Sequence, residues 1–299
     1  MKRKFASLIA GGAAAALLLT GCASGDGSGA DGGSEAGGDK NLTIGVFQGW
    51  DEGIAVTELW KAILEEKGYT VETPAAEAGP VFTGLATGDY DVTMDVWLPY
   101  THKEYLESFG DDIVEISAWN DEAKLTFAVN EDADITSIEE LADKADMFNN
   151  TITGIEPGAG LTAATEEAVI PQYGLEGMNF NTSSTPSMLA ELKAATENNE
   201  NVLVTLWRPH WAYDAFPIKD LEDPKGALGE AESIYVYGSS DFEKNFPEVY
   251  GWLSNFKMES ELLFSLENAM FNEADTDDYG PIVKEWIAEN QEWVDSLTM

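Results

Sequence analysis

The sequence predicts an α/β protein in two lobes, with largely parallel sheets covered on both faces. Two observations carry this: short apolar runs of strand length alternate with amphipathic helical stretches, and 299 residues exceed one domain of ordinary size. Hydrophobic residues at 44% and aromatics at 11% supply a packed core, so the strong acidity belongs to a folded surface.

Leu42 to Phe47 reads as a strand, and after Asp51 the residues Ala55, Leu59, Trp60, Ile63 and Leu64 recur at helical spacing until Gly68. Val81 to Ala86 suggests a second helix, ended by Gly88. Asp91 to Val96 is a strand running into Trp97, Leu98 and Pro99. Thr151 to Ile155 is a short strand, Pro157 to Gly160 a tight loop, and Leu161 to Tyr173 a helix stopped by Gly174. Ser184 or Thr185 caps a helix with Pro186 in its first turn, covering Met188, Leu189 and Leu192. Val202 to Leu206 is an apolar strand emptying into Trp207. From Phe242 onward the chain is mostly helical, with one stripe of Phe246, Val249, Trp252 and Leu253 and another of Ile282, Ile287, Trp293 and Val294. These tail tryptophans are read as core.

The amino terminus reads as an address. Lys2, Arg3 and Lys4 precede an apolar stretch from Phe5 to Leu19, which ends in Leu19, Thr20, Gly21 and Cys22. Residues 1–21 match a lipoprotein signal of bacteria, in which lipid joins the thiol and cleavage leaves Cys22 first in the mature chain. A retained transmembrane anchor fits less well, because the stretch is short and rich in glycine and alanine. Residues 22–40 carry no large apolar side chain and read as a flexible tether. Cys22 is the sole cysteine, which excludes a disulfide, a thiolate metal site and any other cysteine nucleophile.

With 55 acidic against 16 basic residues the formal charge is −39, and loss of three basic residues with the signal makes it −42. Nucleic acid and anionic membrane surfaces are poor partners for such a surface. An excess this large, spread along the chain, resembles solubility design for high salt or acid, and it says nothing about a ligand.

Three tryptophans stand apart from the core stripes. Trp50, Trp97 and Trp207 each fall at the carboxyl end of a predicted strand, where open α/β sheets place ligands. A single loop-borne indole is usually a lid over the core, but three at equivalent places point to a shared aromatic pocket. Indole faces attract a cation, and a quaternary ammonium, having no N–H to donate, suits such a box. The segment from Glu156 to Thr162 lies between a strand and a helix start. It is either a plain glycine turn or a set of backbone N–H groups that can hold a carboxylate or phosphate. His102, five residues after Trp97, is either a further donor to that anion or a capping histidine, and His210 reads as structural. Two histidines without a carboxylate at ligand spacing make no metal motif. No Gly-x-Ser-x-Gly elbow, P-loop or His-Glu-x-x-His is present, although composition alone leaves a glycosidase carboxylate pair open.

At these residues the chain resembles the glycine betaine/proline betaine substrate-binding proteins of ABC importers. The segments that carry the resemblance are GWDEGIAVT at 49–57, GYTVE at 68–72, GLATGDYDVTMDVWLPYTHKEY at 84–105, GIEPGAGLT at 154–162 and LWRPHW at 206–211. The resemblance implies a two-lobed, periplasmic-binding-protein-like fold of type II, closing on a ligand in the inter-lobe cleft. It implies lobe I from 41–130 and 236–299, and lobe II from 131–235. It further implies an aromatic cage of Trp50, Trp97 and Trp207, with carboxylate contacts from the backbone N–H groups of Gly160 and Leu161 and from His102. Some members place a cage tryptophan in the Pro-Gly-x-Gly loop, where this chain has Ala159; here Trp50 stands as the third wall. Some members also carry the two halves in exchanged order, whereas this chain places the Trp50 and Trp97 motifs first.

The expectation is therefore a monomeric receptor, lipid-anchored through Cys22 on the extracytoplasmic face, with no catalytic role, no cofactor and no metal. It would deliver glycine betaine or a related compatible solute to an ABC permease and its ATPase under osmotic stress. A choline or carnitine receptor is the alternative, and a carbohydrate-binding or carbohydrate-active lipoprotein using the indoles as stacking platforms is a distant one.

Overall fold

The computed structural model describes residues 40–274 and 276–299. The expected signal, the Cys22 lipidation site and nearly all of the expected tether lie outside these residues. Among the described residues no helix is long and apolar enough to cross a membrane.

The first apolar run forms two short strands, β1 (Asn41–Thr43) and β2 (Val46–Phe47). β1 pairs in parallel with β3 (Thr70–Glu72), and β2 with β4 (Ala75–Ala76). Between them Ile44 bridges Val92 in parallel, so the run is shared between neighbours on both sides. Helix α1 (Asp51–Glu66) buries the predicted stripe of Ala55, Leu59, Trp60, Ile63 and Leu64. Helix α2 (Ala78–Thr87) starts one turn before the predicted Val81 and closes on Gly88, whose φ of +77° is a left-handed value that glycine adopts freely. β5 (Val92–Leu98) follows, then α3 (Lys103–Phe109).

The central sheet differs from the expected largely parallel one. Its order is β5-β11-β6-β9-β7-β8, with β10 also on β6, where β6 is Ile113–Asn130, β7 Thr151–Thr153, β8 Asn179–Asn181, β9 Leu203–Arg208, β10 Ile218–Asp220 and β11 Glu232–Ser239. β7 runs parallel to β8 and β9, but β11 is antiparallel to β5 and β6, and β6 is antiparallel to β9 and β10. The cause is β6. This 18-residue strand pairs with β11 up to Ala123 and with β9 from Lys124 onward. It runs through both parts of the sheet and β11 runs back beside it, so their neighbours are met head to tail.

The predicted helix after the Pro157–Gly160 loop is present but interrupted: α-helical Gly160–Ala164, a π turn at Thr165–Val169, then Ile170–Tyr173 ended by Gly174 at φ +69°. Ser184 caps the helix Thr185–Asn198 by accepting from the Ser187 N–H. In the helical tail Phe246, Val249, Leu253, Ile287 and Val294 are buried. Trp252 and Trp293 are half-buried against the same core, which is continuous through the described residues.

Candidate functional site

Three strand ends and one helix start converge on a small cavity nearly filled by its own lining side chains. The six residues singled out from the sequence, Trp50, Trp97, His102, Gly160, Leu161 and Trp207, all line it. Leu125 and Ile155 add apolar wall, and the carboxyl side chain of Glu52 reaches it as well.

β2 leads through Gly49, at φ +84°, to Trp50, which sits extended at the N-cap of α1. A side chain at Gly49 would be strained by that φ and would press on Thr185 and Pro186 at 3.3 Å. β5 carries Trp97 and β9 carries Trp207, and each is followed by a cis X-Pro bond, Leu98–Pro99 and Arg208–Pro209. The indoles are 7%, 3% and 3% exposed, far less than free loop residues. Their N–H groups fare differently. Trp97 donates to Asp95 Oδ1 at 2.7 Å and Trp207 to Glu52 Oε2 at 2.9 Å, whereas Trp50 Nε1 is buried with no partner in the protein.

His102 stacks on Trp50, with ring centroids 5.4 Å apart and planes 13° from parallel. Its Nδ1 accepts from the Trp97 backbone N–H at 2.9 Å. Burial pushes its pKa down to about 3, so the ring is neutral and its one proton sits on Nε2. That N–H is buried and has no partner in the protein. The loop between Trp97 and His102 is held by Glu232, whose carboxyl accepts from the backbone N–H groups of Tyr100 and Thr101 at 2.7 and 2.9 Å.

Gly160 is the first residue of its helix, so its N–H and that of Leu161 have no acceptor within the helix. A Cβ there would lie 2.1 Å from the Thr101 carbonyl oxygen, so only glycine permits this approach. The loop before it is pinned by Tyr105, which donates to the Gly158 carbonyl, and by Glu156, whose carboxyl accepts from the Thr185 N–H and hydroxyl. The cavity thus brings together three indoles, the helix start at Gly160 and Leu161, and the neutral His102 ring.

Behind the indoles lies a layer of buried carboxyl groups that the sequence reading did not single out. Asp51 accepts from Trp211 Nε1 at 2.6 Å, and burial pushes its pKa up to about 7 against that hydrogen bond. Glu52, Asp95 and Glu267 are all held well above the usual carboxylate range, in each case mainly by burial; Asp95 and Glu267 add to this at Glu52, and Asp51 adds to it at Glu267. His210 packs edge-on against Trp207, and its Nδ1 accepts from the Ala212 N–H; burial lowers its pKa to about 3. Its reading as structural agrees with these contacts. One signal was available: Asp95 is a carboxylate between Met94 and Val96 in a mainly apolar, buried strand. Glu267 lies in the distant tail and gave none. Arg208, next to Trp207, is paired with Asp220 at 2.9 Å and stacked on Tyr213, so it offers the cavity no charge. Among the described residues no group of side chains is arranged to hold a metal ion.

Comparison with known proteins decides the family. Residues 40–289 match the family described as the substrate-binding domain of ABC-type glycine betaine transport systems. The chain belongs to that family. Among curated members of the glycine betaine family, the glycine betaine/carnitine transport binding protein GbuC of Listeria monocytogenes is 34% identical over 161 residues, 52% of either chain. The match thus spans about half the length of that relative. Lactococcal OpuAC, in a closed conformation with glycine betaine, superposes with a TM-score of 0.81 at 29% identity, covering 87% of this chain and all of that one. The glycine betaine/L-proline-binding protein ProX of Borrelia burgdorferi gives 0.81 at 30% identity, over 87% and 97% of the two chains. These neighbours bear out the expected fold of the substrate-binding type.

Proposed function

We propose that this protein is the receptor of an ABC importer, binding glycine betaine or a closely related quaternary-ammonium solute. The observation that carries the reading is one small cavity lined by three indoles together with Gly160, Leu161 and His102. The trimethylammonium head would lie among Trp50, Trp97 and Trp207, where a desolvated cation gains ~2 kcal/mol or more from the ring faces. The carboxylate would accept from the Gly160 and Leu161 N–H groups and from His102 Nε2–H, a buried donor that lacks any other partner. The orphaned Trp50 Nε1–H is a further donor within the same wall. A zwitterion of the right length engages both ends, and choline, lacking the carboxylate, leaves the donors idle.

The same reading divides the fold into lobe I, 41–130 and 236–299, and lobe II, 131–235, with closure bringing Trp207 and Gly160 against Trp50 and Trp97. That β6 pairs with β11 in its first part and β9 in its second supports a hinge along that strand. The receptor would act as a monomer without catalysis, held on the extracytoplasmic face by lipid on Cys22 and docking on a permease and its ATPase. Calorimetric titration with glycine betaine and with choline tests the ligand: strong betaine binding with weak choline binding supports it. Equal affinities remove the role of Gly160, Leu161 and His102, and no binding by either removes the cage. Mass spectrometry of the membrane-extracted protein tests the lipid, which adds mass on Cys22.

A further inference from the structure

Asp51 and Glu52 on α1, Asp95 on β5 and Glu267 at the end of the helix Ser260–Glu267 are 9%, 2%, 2% and 0% exposed. None of the lysine or arginine ion pairs among the described residues reaches them. Around the four groups stand His210, whose Nε2 is 3.8 Å from Asp51 Oδ2, and the like-charged Asp214 on the segment after Trp211; Tyr279 faces Asp51, and His102 lies across the cavity. Both histidines are neutral. Asp95 Oδ2 and both Glu267 oxygens are buried without a hydrogen-bond partner. Four carboxyl groups so placed cannot all be ionised, because burial and mutual repulsion both oppose it. Yet two of them touch the cage directly, Asp95 holding the Trp97 indole N–H and Glu52 that of Trp207, while Asp51 holds the indole N–H of Trp211 beside it.

We propose that this carboxyl layer is the counter-charge of the cation site: Glu52 and Asp95 position the Trp207 and Trp97 rings, and the layer releases a proton when a cation enters the cage. The step is a simple dissociation. A carboxyl O–H bond breaks, the proton passes to solvent and is taken up by the buffer base, and the remaining carboxylate faces the ligand's positive charge through the indole. An ionised carboxylate on the indole N–H also makes the ring face more negative, which strengthens its hold on the cation. Asp51, which precedes Glu52 on α1 and whose pKa burial pushes up to about 7, belongs to the same layer. Proton uptake by His102 on meeting the ligand's carboxylate would have the opposite sign, so the direction of transfer identifies the carboxyl layer as the source. The inference rests on the proposed binding of a cation in the cage.

The test is calorimetric titration of the purified protein with glycine betaine at pH 7 in two buffers of different ionisation enthalpy, together with the dissociation constant from pH 6.5 to 8.5. The expected result is a binding heat that depends on buffer with the sign of proton release, and an affinity that rises with pH by up to roughly tenfold per unit. Glu52→Gln, whose amide oxygen still accepts from Trp207, is expected to bind betaine with fewer protons released and a flatter pH profile. A purely structural Glu52 would leave the proton count unchanged in that variant, which would overturn its part in the layer. Betaine binding with buffer-independent heat and a flat profile, or with net proton uptake, overturns the inference while the receptor reading stands. Absence of betaine binding in either buffer removes both.

Discussion

The indole of Trp207 donates its N–H to Glu52 Oε2 at 2.9 Å, joining residues 155 positions apart. Trp207 is the penultimate residue of β9 and Glu52 lies in the first turn of α1, so one hydrogen bond ties a cavity wall to the element that presents Trp50. Trp97 and Asp95 repeat the arrangement within β5. The Trp97 and Trp207 rings are therefore fixed at their polar edges.

Trp97→Ala removes a ring face and leaves Asp95 without its donor. Betaine affinity is expected to fall by ~2 kcal/mol, roughly 30-fold, measured by calorimetry. Unchanged affinity would remove Trp97 from the cage.

Gly160→Ala would place a methyl 2.1 Å from the Thr101 carbonyl oxygen, forcing the helix start away from the loop that leads to His102. Betaine binding should suffer at least tenfold, because a roughly 1 Å misplacement of positioning groups is costly, while the weaker binding of choline changes little. Titrating both ligands checks this.

Glu232→Ala removes the buried carboxyl that accepts from the N–H groups of Tyr100 and Thr101 and ties down their partly exposed loop. Unfolding free energy should drop by about 1–3 kcal/mol, read from denaturant melts. Betaine affinity should drop as well, since the loop sets the position of His102.

Stability of the ligand-free protein should fall as pH rises from about 6.5 to 8.5. Asp51, at about 7, and Glu52, Asp95 and Glu267, held well above the usual carboxylate range by burial, keep their protons further up the pH scale in the folded state than in the unfolded chain. Their stabilisation is complete below the unfolded carboxyl range and is lost through the folded pKa. His102 and His210, lowered to about 3, act only between there and the unfolded value near 6.5, where acidification destabilises. Above about 6.5 the carboxyl effect is unopposed. Thermal melts across this range check the slope, and a rising melting temperature would contradict it.

Much of the fold was legible where periodicity and punctuation agree: α1, the Gly88 and Gly174 stops and the Ser184 cap stand where residue chemistry puts them. β6 and β11 were not, because Ile113–Asn130 mixes buried and exposed positions irregularly and its partners are set only in three dimensions. The three cavity tryptophans were legible from their place at strand ends, whereas the part of Gly160, Leu161 and His102 rested on the family resemblance. The carboxyl layer was not, since an excess of acids hides four buried ones, and burial of Glu267 depends on packing by the far end of the chain.

One cavity is proposed to hold both ends of a zwitterion. Calorimetric titration of the protein with glycine betaine, choline and a neutral sugar, at low and high salt, addresses it most directly. Micromolar betaine binding, at least tenfold weaker choline binding and a silent sugar are the expected result. Equal binding of choline and betaine, or binding of the sugar alone, would contradict it.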